Sequence, residues 1–244
     1  MKAMIFAAGK GTRLQPLTND IPKALVKVNN ITLLEIIINK LKHFGFNDII
    51  INVHHFAEQI KDFLNKNNNF GIKITISDES SLLLETGGGL KKAAWFFDDN
   101  KPFLIHNVDI LSDINLSELY DFHIQSQSLA TLAVMHRNTS RYFLFDKHNK
   151  LCGWQNLKND SIIKCNDTTE KLFPLAFSGI HIVNPSIFAL MNEEGVFSIT
   201  NVYIRLAALQ KISAYNHTTS HWLDLGTIEN IEKAEKDFLL FNTY

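Results

Sequence analysis

The chain has 244 residues, of which 45% are hydrophobic and 20% charged, and its formal net charge is −1. A chain of this size and composition can bury a sizeable core, which excludes an intrinsically disordered protein. The balanced charge gives no basic surface of the kind that binds nucleic acid or an anionic membrane, so we expect neither as a partner.

The two cysteines, Cys152 and Cys165, are too few for a disulfide framework, and no Cys/His spacing indicates structural zinc. The apolar run Ala3–Ala8 is too short for a signal peptide or a membrane span. Together these observations predict a cytoplasmic protein that acts on small molecules.

In the first half of the chain, short apolar runs rich in β-branched residues alternate with helical patterns. The predicted strands are Met4–Ala7, Ile49–Val53, Ile72–Ile76 and Phe103–Ile105. The predicted helices, the last of which follows three glycines, are Leu33–Phe44, Phe56–Leu64 and Leu90–Phe97. This alternation predicts right-handed βαβ units and a mostly parallel sheet.

The second half of the chain has a different pattern, with more strands and a hairpin. The predicted strands are Leu129–Met135, the hairpin pair Tyr142–Phe145 and Leu151–Trp154, and Phe177–Val183. Helices are predicted at Pro185–Met191, at Val202–Lys211 and after Thr227, which is a natural N-cap.

The fold class follows from these two patterns. We predict an α/β, Rossmann-like fold in which a mostly parallel central sheet is flanked by helices, with an antiparallel elaboration in the C-terminal half. No linker, repeat or low-complexity segment interrupts the chain, so a single domain over residues 1–244 is expected.

The loop after the first strand carries residue types suited to phosphate binding. Gly9 and Gly11 allow backbone N–H groups to approach phosphate oxygens, and Arg13 and Lys23 supply two cations. The string is neither a Walker A motif nor GxGxxG, because Leu14 stands at the third glycine position. A solvated glycine-rich turn is the alternative interpretation.

Two aspartates are candidates for a magnesium site. Asp109 follows a strongly apolar strand, at the sheet edge where such folds bind ligands, and a carboxylate there is costly without a cation. Mg²⁺ prefers one or two protein carboxylates together with substrate phosphates, so Asp109 and the distant Asp224 form a candidate pair. Alternatively, Asp109 caps a loop and Asp224 pairs with a surface base.

The string from Gly9 to Leu25, GKGTRLQPLTNDIPKAL, resembles the signature of the sugar-phosphate nucleotidyltransferases. Four later segments match that family in order: LETGGG at 84–89, NVD at 107–109, FSGI at 177–180 and HWLDLGT at 221–227. The similarity runs from Lys2 to about Glu235, although Val108 stands where the family commonly has glycine. It is strongest to the N-acetylmuramate-1-phosphate uridylyltransferases and the mannose- and heptose-1-phosphate guanylyltransferases.

The resemblance implies a GT-A-like nucleotidyltransferase fold and a reaction. The enzyme would use Mg²⁺ to join a nucleoside triphosphate to a sugar 1-phosphate, giving a nucleotide-sugar and pyrophosphate. It also implies a nucleotide-binding half at about residues 1–128 and a sugar-phosphate-binding half at about 129–244. A monomer or a homodimer is expected.

The resemblance further implies roles for individual residues. The expected catalytic residues are Arg13 and Lys23. The expected nucleotide-binding residues are Ala8, Gly9, Gly11, Thr12, Arg13, Thr86 and Gly87. The expected substrate-binding residues are Asn107, Ser178 and Gly179, and the expected metal ligands are Asp109 and Asp224.

Several alternatives remain open from the sequence. UTP is favoured narrowly over GTP, with guanylyl transfer to mannose or heptose 1-phosphate as the second candidate. A glycosyltransferase that uses a finished nucleotide-sugar would share the sheet and the metal site, but it does not need a loop that clamps a triphosphate. A catalytically silent nucleotide-sugar-binding protein would fit if one of the four charged residues were missing, and all four are present.

Overall fold

The structure, a computed structural model, describes residues 1–165 and 169–241. The strands are β1 (Lys2–Phe6), β2 (Lys27–Val28), β3 (Ile31–Thr32), β4 (Asp48–Val53), β5 (Lys73–Asp78), β6 (Phe103–Asn107), β7 (Ile110–Ser112), β8 (Ala130–Met135), β9 (Arg141–Phe145), β10 (Leu151–Asn156), β11 (Ser161–Lys164), β12 (Phe173–Val183), β13 (Ile212–Asn216) and β14 (Trp222–Asp224). The α-helices are α1 (Leu33–His43), α2 (Ala57–Lys66), α3 (Glu85–Lys92), α4 (Leu116–Ser126), α5 (Ile199–Leu206), α6 (Ile228–Lys236) and α7 (Phe238–Phe241). Short 3-10 turns lie at Thr12–Leu14, Lys23–Leu25, Asn68–Gly71, Ala94–Phe96 and Pro185–Leu190.

The chain divides into two compact units, each assembled from separate stretches of sequence. The first unit contains Met1–Leu84, Ile105–Leu116 and Ser220–Tyr244. The second unit contains Glu85–Leu104 and Ser117–Thr219.

The first unit is built on parallel strands. β1 pairs with β4 and β4 pairs with β5, both in parallel, and β6 neighbours β1 on its other side. The buried runs Ala3–Phe6 and Ile49–Ile51 make the centre of this sheet apolar, as expected for strands covered on both faces. A separate antiparallel pair, β7 with β14, joins the middle of the chain to its last segment.

Helix α1 shows why the local sequence folds as it does. The Thr32 side chain accepts a hydrogen bond from the Glu35 N–H at 3.2 Å, which caps the first turn. The helix ends at His43, and Gly45 follows in the left-handed conformation, with φ at 80°. Gly45 therefore stops the helix, as the sequence pattern predicts.

The second unit is dominated by antiparallel pairing. β9 pairs with β10, β10 with β11, and β12 with both β8 and β9, all antiparallel, while β13 adds to β8 in parallel. The register of β12 against β8 shifts between Phe177 and His181. Gly179 lies in this irregularity with φ at 74°, a backbone conformation that favours glycine.

Most predicted elements are confirmed, including the hairpin of β9 and β10 and the Thr227 cap of α6. Two predictions need correction. The glycines at 87–89 lie inside α3 instead of preceding it, and the helix predicted to reach Lys211 ends at Leu206. Several further elements, among them α4 and β13, were not anticipated. Within 1–165 and 169–241, no helix is long and apolar enough to cross a bilayer.

Glycine is required at position 87, inside α3, because another segment of the second unit packs directly against it. A Cβ at this position would come within 2.6 Å of Cε2 of the Phe197 ring, and the Gly87 N–H donates to the Phe197 carbonyl at 2.8 Å. Close packing therefore outweighs the low helix propensity of glycine here.

Candidate active site

The loop after β1 contains two glycines, and the backbone conformation requires glycine at only one of these positions. Gly11 has φ at 67°, and a Cβ there would lie 3.0 Å from Cγ2 of Thr18, whose hydroxyl donates to the Gly11 carbonyl at 2.8 Å. Gly9 is exposed, has no positive φ, and a Cβ there would meet nothing within 4 Å. The fold therefore requires glycine at 11 but not at 9, which leaves Gly9 open to close approach by a ligand.

A buried series of hydrogen bonds, the Asn52–Glu79 chain, fixes the start of this loop, and sequence reasoning missed it. The Ala7 N–H donates to Oδ1 of Asn52 at 2.8 Å, and Nδ2 of Asn52 donates to Oε1 of Glu79 at 2.8 Å. Oε2 of Glu79 accepts from the Leu84 N–H at 3.1 Å. The Glu79 residue is fully buried, so it holds two loops of the first unit in one arrangement. The available signal was Asn52 itself, a polar residue within an apolar strand.

The two candidate aspartates meet through the β7–β14 pair. Asp224 lies opposite Ile110, and the Leu225 N–H donates to the Asp109 carbonyl at 2.8 Å. Oδ1 of Asp224 is buried, and it has no hydrogen-bond partner among the described residues. Burial, followed by the negative charge of Asp109, raises the pKa of Asp224, and the cations of Lys23 and Arg13 oppose this shift.

Lys23 lies beside these carboxylates. It begins the 3-10 turn that follows Pro22, its side chain is 9% exposed, and Nζ donates to Oδ2 of Asp109 in an ion pair. Val108 is buried, and its backbone N–H donates to the Phe6 carbonyl at 3.1 Å, so the residue before Asp109 is bonded to the end of β1. The sequence predicted roles for Lys23 and Asp109 separately, but it gave no sign that they pair.

The Arg13 guanidinium packs against Gly226 and so lies in the same cluster. A Cβ at Gly226 would lie 2.8 Å from Cζ of Arg13 and 2.8 Å from Oδ1 of Asp224. Only a residue without a side chain permits this close contact. Arg13, Lys23, Asp109 and Asp224 are therefore brought together in the first unit, from three separate stretches of the chain.

The other predicted site residues of the first unit lie near the same strand ends. Ala8 is buried, Thr12 is exposed in the loop, and Asn107 is half-buried at the end of β6. The Asn107 carbonyl hydrogen-bonds to Nδ1 of His106 at 2.8 Å.

The predicted site residues of the second unit are largely engaged within that unit. Thr86 Oγ1 accepts from the Ile199 N–H at 3.0 Å. The Ser178 side chain is fully buried and its hydroxyl hydrogen-bonds to Nε2 of His217 at 2.6 Å. The buried Ser178 hydroxyl is therefore engaged within the unit, whereas the Thr86 hydroxyl, which accepts here, still carries a proton that it can donate.

A second buried lysine, Lys40, lies in the first unit, and sequence reasoning also missed it. Lys40 of α1 is 1% exposed, and Nζ donates to the Ser112 carbonyl and, at 3.0 Å, to its hydroxyl. Burial lowers the pKa of Lys40 to about 7, and Asp113 opposes the shift. Burial and the Lys40 charge lower the pKa of His106 to about 3. The available signal was the position of Lys40 on the apolar face of α1, three residues after Ile37.

Comparison with known proteins now identifies the family. The family model described as nucleotidyl transferase matches residues 2–239. The chain belongs to the nucleotidyl transferase family. The family predicted from the Gly9–Leu25 string is thereby confirmed, and so is the prediction that the chain is a nucleotidyltransferase enzyme.

Two relatives and one solved structure illustrate this similarity. The N-acetylmuramate alpha-1-phosphate uridylyltransferase of Neisseria meningitidis serogroup B is 32% identical over 235 residues, covering 96% of this chain and 97% of the relative. A mannose-1-phosphate guanyltransferase of Yarrowia lipolytica is 29% identical over 248 residues, covering 98% of this chain and 62% of the relative. The structure of HddC from Yersinia pseudotuberculosis, complexed with GMP-PN, has a TM-score of 0.75 at 22% identity and covers 97% of this chain and 99% of that one. This likeness in fold confirms the predicted fold class.

In this nucleotidyl transferase, the described residues contain no group of three or more His, Cys, Asp or Glu side chains that could hold a metal ion. The first unit instead offers two carboxylates beside two cations. Such a site lacks enough ligands to hold a metal by itself, but it suits a cation that arrives with phosphate oxygens.

Proposed function

We propose that this nucleotidyl transferase transfers a nucleotidyl group from a nucleoside triphosphate to a sugar 1-phosphate, with Mg²⁺ as cofactor and pyrophosphate as the second product. One observation carries the proposal: Asp109 and Asp224 lie beside Lys23 and Arg13, and the buried Oδ1 of Asp224 has no partner among the described residues. A buried, unpartnered carboxylate oxygen is costly unless a cation compensates it.

The residues present fit Mg²⁺. Asp109 and Asp224 would hold it, because carboxylate oxygens are its preferred protein ligands and both side chains end in one cluster. When bound, Mg²⁺ would supply positive charge that reduces the repulsion between the triphosphate and the acceptor phosphate.

The side chains and the loop would provide orientation and charge. The N–H groups around Gly9 and Gly11 would bind phosphate oxygens, and Arg13 would hold the β- and γ-phosphates. Lys23 would neutralise the charge that builds up at the reacting phosphate. Because the Asn52–Glu79 chain fixes the loop from behind, little reordering would accompany each turnover.

The reaction needs no general base. The phosphate of a sugar 1-phosphate is already anionic near neutral pH, so its oxygen can attack the α-phosphorus directly. A new P–O bond forms there, the bond to the bridging oxygen breaks, and pyrophosphate leaves with that electron pair. Asn107, Ser178 and Gly179 are proposed to contact the sugar, and Thr86 and Gly87 the base.

UTP is the favoured nucleotide, with an amino-sugar or related 1-phosphate as acceptor. The support is the uridylyltransferase relative, which this chain matches over 96% of its length. Guanylyl transfer to mannose or heptose 1-phosphate is the second candidate, supported by the guanyltransferase relative.

Pyrophosphate release from five nucleoside triphosphates, each with several sugar 1-phosphates, tests the proposal. We expect release that depends on both substrates and on Mg²⁺, with UTP giving the highest kcat/KM. A tenfold preference for GTP, about 1.4 kcal/mol of differential transition-state binding, would replace uridylyl with guanylyl transfer. Release from no combination would refute the proposed function.

A further inference from the structure

Strand β11 forms an exposed edge of the second unit. It pairs with β10 on one side, and no strand within residues 1–165 and 169–241 pairs with it on the other. Two of its four residues are isoleucines with large accessible fractions, 59% for Ile162 and 45% for Ile163. An accessible apolar strand edge of this kind is a site at which another chain can add a strand.

The hydrogen bonds to β10 determine which backbone groups of β11 point outward. The Cys165 N–H donates to the Cys152 carbonyl at 2.8 Å, in line with the antiparallel pairing of the two strands. Because backbone groups alternate in direction along a strand, Ile163 also bonds toward β10. The N–H and carbonyl groups of Ile162 and Lys164 therefore point away from β10, and an added strand would bond to them.

The two ends of β11 carry opposite charges. Asp160 directly precedes the strand, Lys164 ends it, and both residues are exposed. Neither side chain forms an ion pair with another residue in the part of the chain that the structure describes. A second strand with the same sequence, running in the opposite direction, would place its positive end beside the negative end of the first.

We propose that β11 pairs with β11 of a second copy of this chain, antiparallel about a two-fold axis through Ile162. In this register, Ile162 lies opposite Ile162, and Asp160 of each copy lies opposite Lys164 of the other. A two-fold axis uses the same surface on both copies, so the charge pair forms twice. Apolar and oppositely charged pairs directly across two strands both stabilise their pairing.

Backbone direction and charge together select this register. Outward groups can bond only to outward groups, which excludes an axis between Ile162 and Ile163. An axis through Ser161 would place Lys158 opposite Lys164, and like charges in that position are destabilising. An axis through Ile163 would place Lys164 opposite Ile162, which sets a charge against an apolar side chain.

The contact is small, so the dimer is weak. Two strands of four residues bury less than the roughly 1,200–2,000 Å² of a stable interface. Leu157, which is 58% exposed in the turn before β11, adds apolar surface beside the strand. We expect a dissociation constant on the order of 100 μM, as for transient contacts between proteins.

Sedimentation equilibrium of the full chain, from about 10 μM to about 1 mM, measures this association. We expect a reversible equilibrium between monomer and dimer. Ile162→Pro removes an outward N–H without removing a bond to β10, so it should leave a folded monomer, whereas Ile162→Val should still dimerise. A wild-type chain that is monomeric at every concentration would overturn the proposal, and so would a dimer that Ile162→Pro leaves intact.

Charge reversal tests the register. Asp160→Lys and Lys164→Asp each place like charges opposite one another twice, and each should weaken self-association at least about tenfold. A mixture of these two variants restores both opposite-charge pairs, so it should form a heterodimer although neither variant dimerises alone. Heterodimer formation would also show that both variants are folded. Failure of the mixture to associate more tightly than either variant alone would overturn the proposed pairing.

Discussion

The two units present their chemistry in different ways. In the first unit, the predicted residues come from short motifs and converge on one cluster, where Lys23 pairs with Asp109 and Arg13 lies over Gly226 beside Asp224. In the second unit, Thr86 and Ser178 are bonded within that unit, and several residues that line a polar cavity of the unit, such as Arg137 and Trp154, lie outside any recognised motif. The candidate residues of the first unit thus belong to compact sequence motifs, whereas the polar side chains of the second unit are scattered along the chain.

The largest expected effect tests whether the first unit holds the metal. Asp109→Asn or Asp224→Asn should lower kcat by about a thousandfold or more, because each removes a charged ligand and leaves the other carboxylate alone. The measurement is pyrophosphate release as a function of Mg²⁺ concentration. Asp62→Asn, on the exposed face of α2, is the control and should match the wild type. An aspartate variant with the wild-type Mg²⁺ dependence would not have lost a ligand.

The second prediction concerns Lys23. Lys23→Ala should lower kcat about 10²- to 10³-fold, the usual effect of removing one preorganised charge at a transition state. The far-ultraviolet circular dichroism should be unchanged, since only one ion pair is lost. Lys27→Ala, at an exposed position four residues later, should retain full activity. Near-normal turnover by a folded Lys23→Ala protein would remove this lysine from the mechanism.

The third prediction compares two glycines of the first unit. Gly226→Ala should displace the Arg13 guanidinium and lower kcat/KM by about 10- to 100-fold, because a contact made by a charged hydrogen-bond donor is lost. Gly9→Ala should leave the melting temperature unchanged, since no atom lies within 4 Å of the new Cβ. It should nevertheless raise KM for the triphosphate. Unchanged KM with Gly9→Ala would mean that no phosphate approaches that backbone.

The fourth prediction concerns the Asn52–Glu79 chain of hydrogen bonds that fixes the loop after β1. Glu79→Gln leaves one oxygen where two accepted hydrogen bonds from Asn52 and Leu84. We expect the free energy of unfolding to fall by about 1–3 kcal/mol and KM for the triphosphate to rise about tenfold. Urea denaturation and steady-state kinetics measure the two effects. A loss of stability without any change in KM would show that the chain supports the fold but does not position the loop.

The fifth prediction concerns Lys40, whose replacement should have the smallest effect on activity. Its effect should appear in the pH dependence of the free energy of unfolding. In the unfolded chain Lys40 keeps its proton up to about pH 10.5, whereas burial lowers its pKa to about 7 in the fold. The unfolded state therefore binds more protons between these values, and the free energy of unfolding rises with pH by up to about 1.4 kcal/mol per unit.

Lys40→Met should remove this contribution, so the free energy of unfolding of the variant minus that of the wild type should fall steadily as the pH rises from 7 to 10. Urea denaturation at several pH values measures it. Lys27→Met, at an exposed position, should keep the wild-type slope. Equal slopes for all three proteins would mean that Lys40 is charged in the fold.

The fold was largely predictable because hydrophobic periodicity determines it. The strands at Met4 and Ile49 and the helix that Gly45 ends follow from local pattern alone. The location of the glycines at 87–89 did not, because their helix depends on contact with Phe197, which is remote in sequence. Tertiary packing outweighs local propensity at such positions.

For the candidate site, the sequence predicted residue types but not their partners. Glycines, cations and aspartates could be named because phosphate and magnesium chemistry requires those residue types. Their partners could not, because the Lys23–Asp109 pair, the Asn52–Glu79 bond and the Lys40–Ser112 bond all join residues far apart in the chain. No spacing rule links such pairs without the topology that brings them together.

The β7–β14 pair has a consequence for synthesis on the ribosome. Asp109 emerges with the middle of the chain, but the strand that pairs beside it and carries Asp224 belongs to the last segment of the first unit. A nascent chain therefore holds the phosphate loop, Lys23 and one carboxylate long before the second carboxylate exists. Pairing of distant segments also comes late in folding, because loop closure must precede the contact. The proposed site is consequently completed only after Asp224 has been synthesised, so chains terminated before that residue would be catalytically inactive.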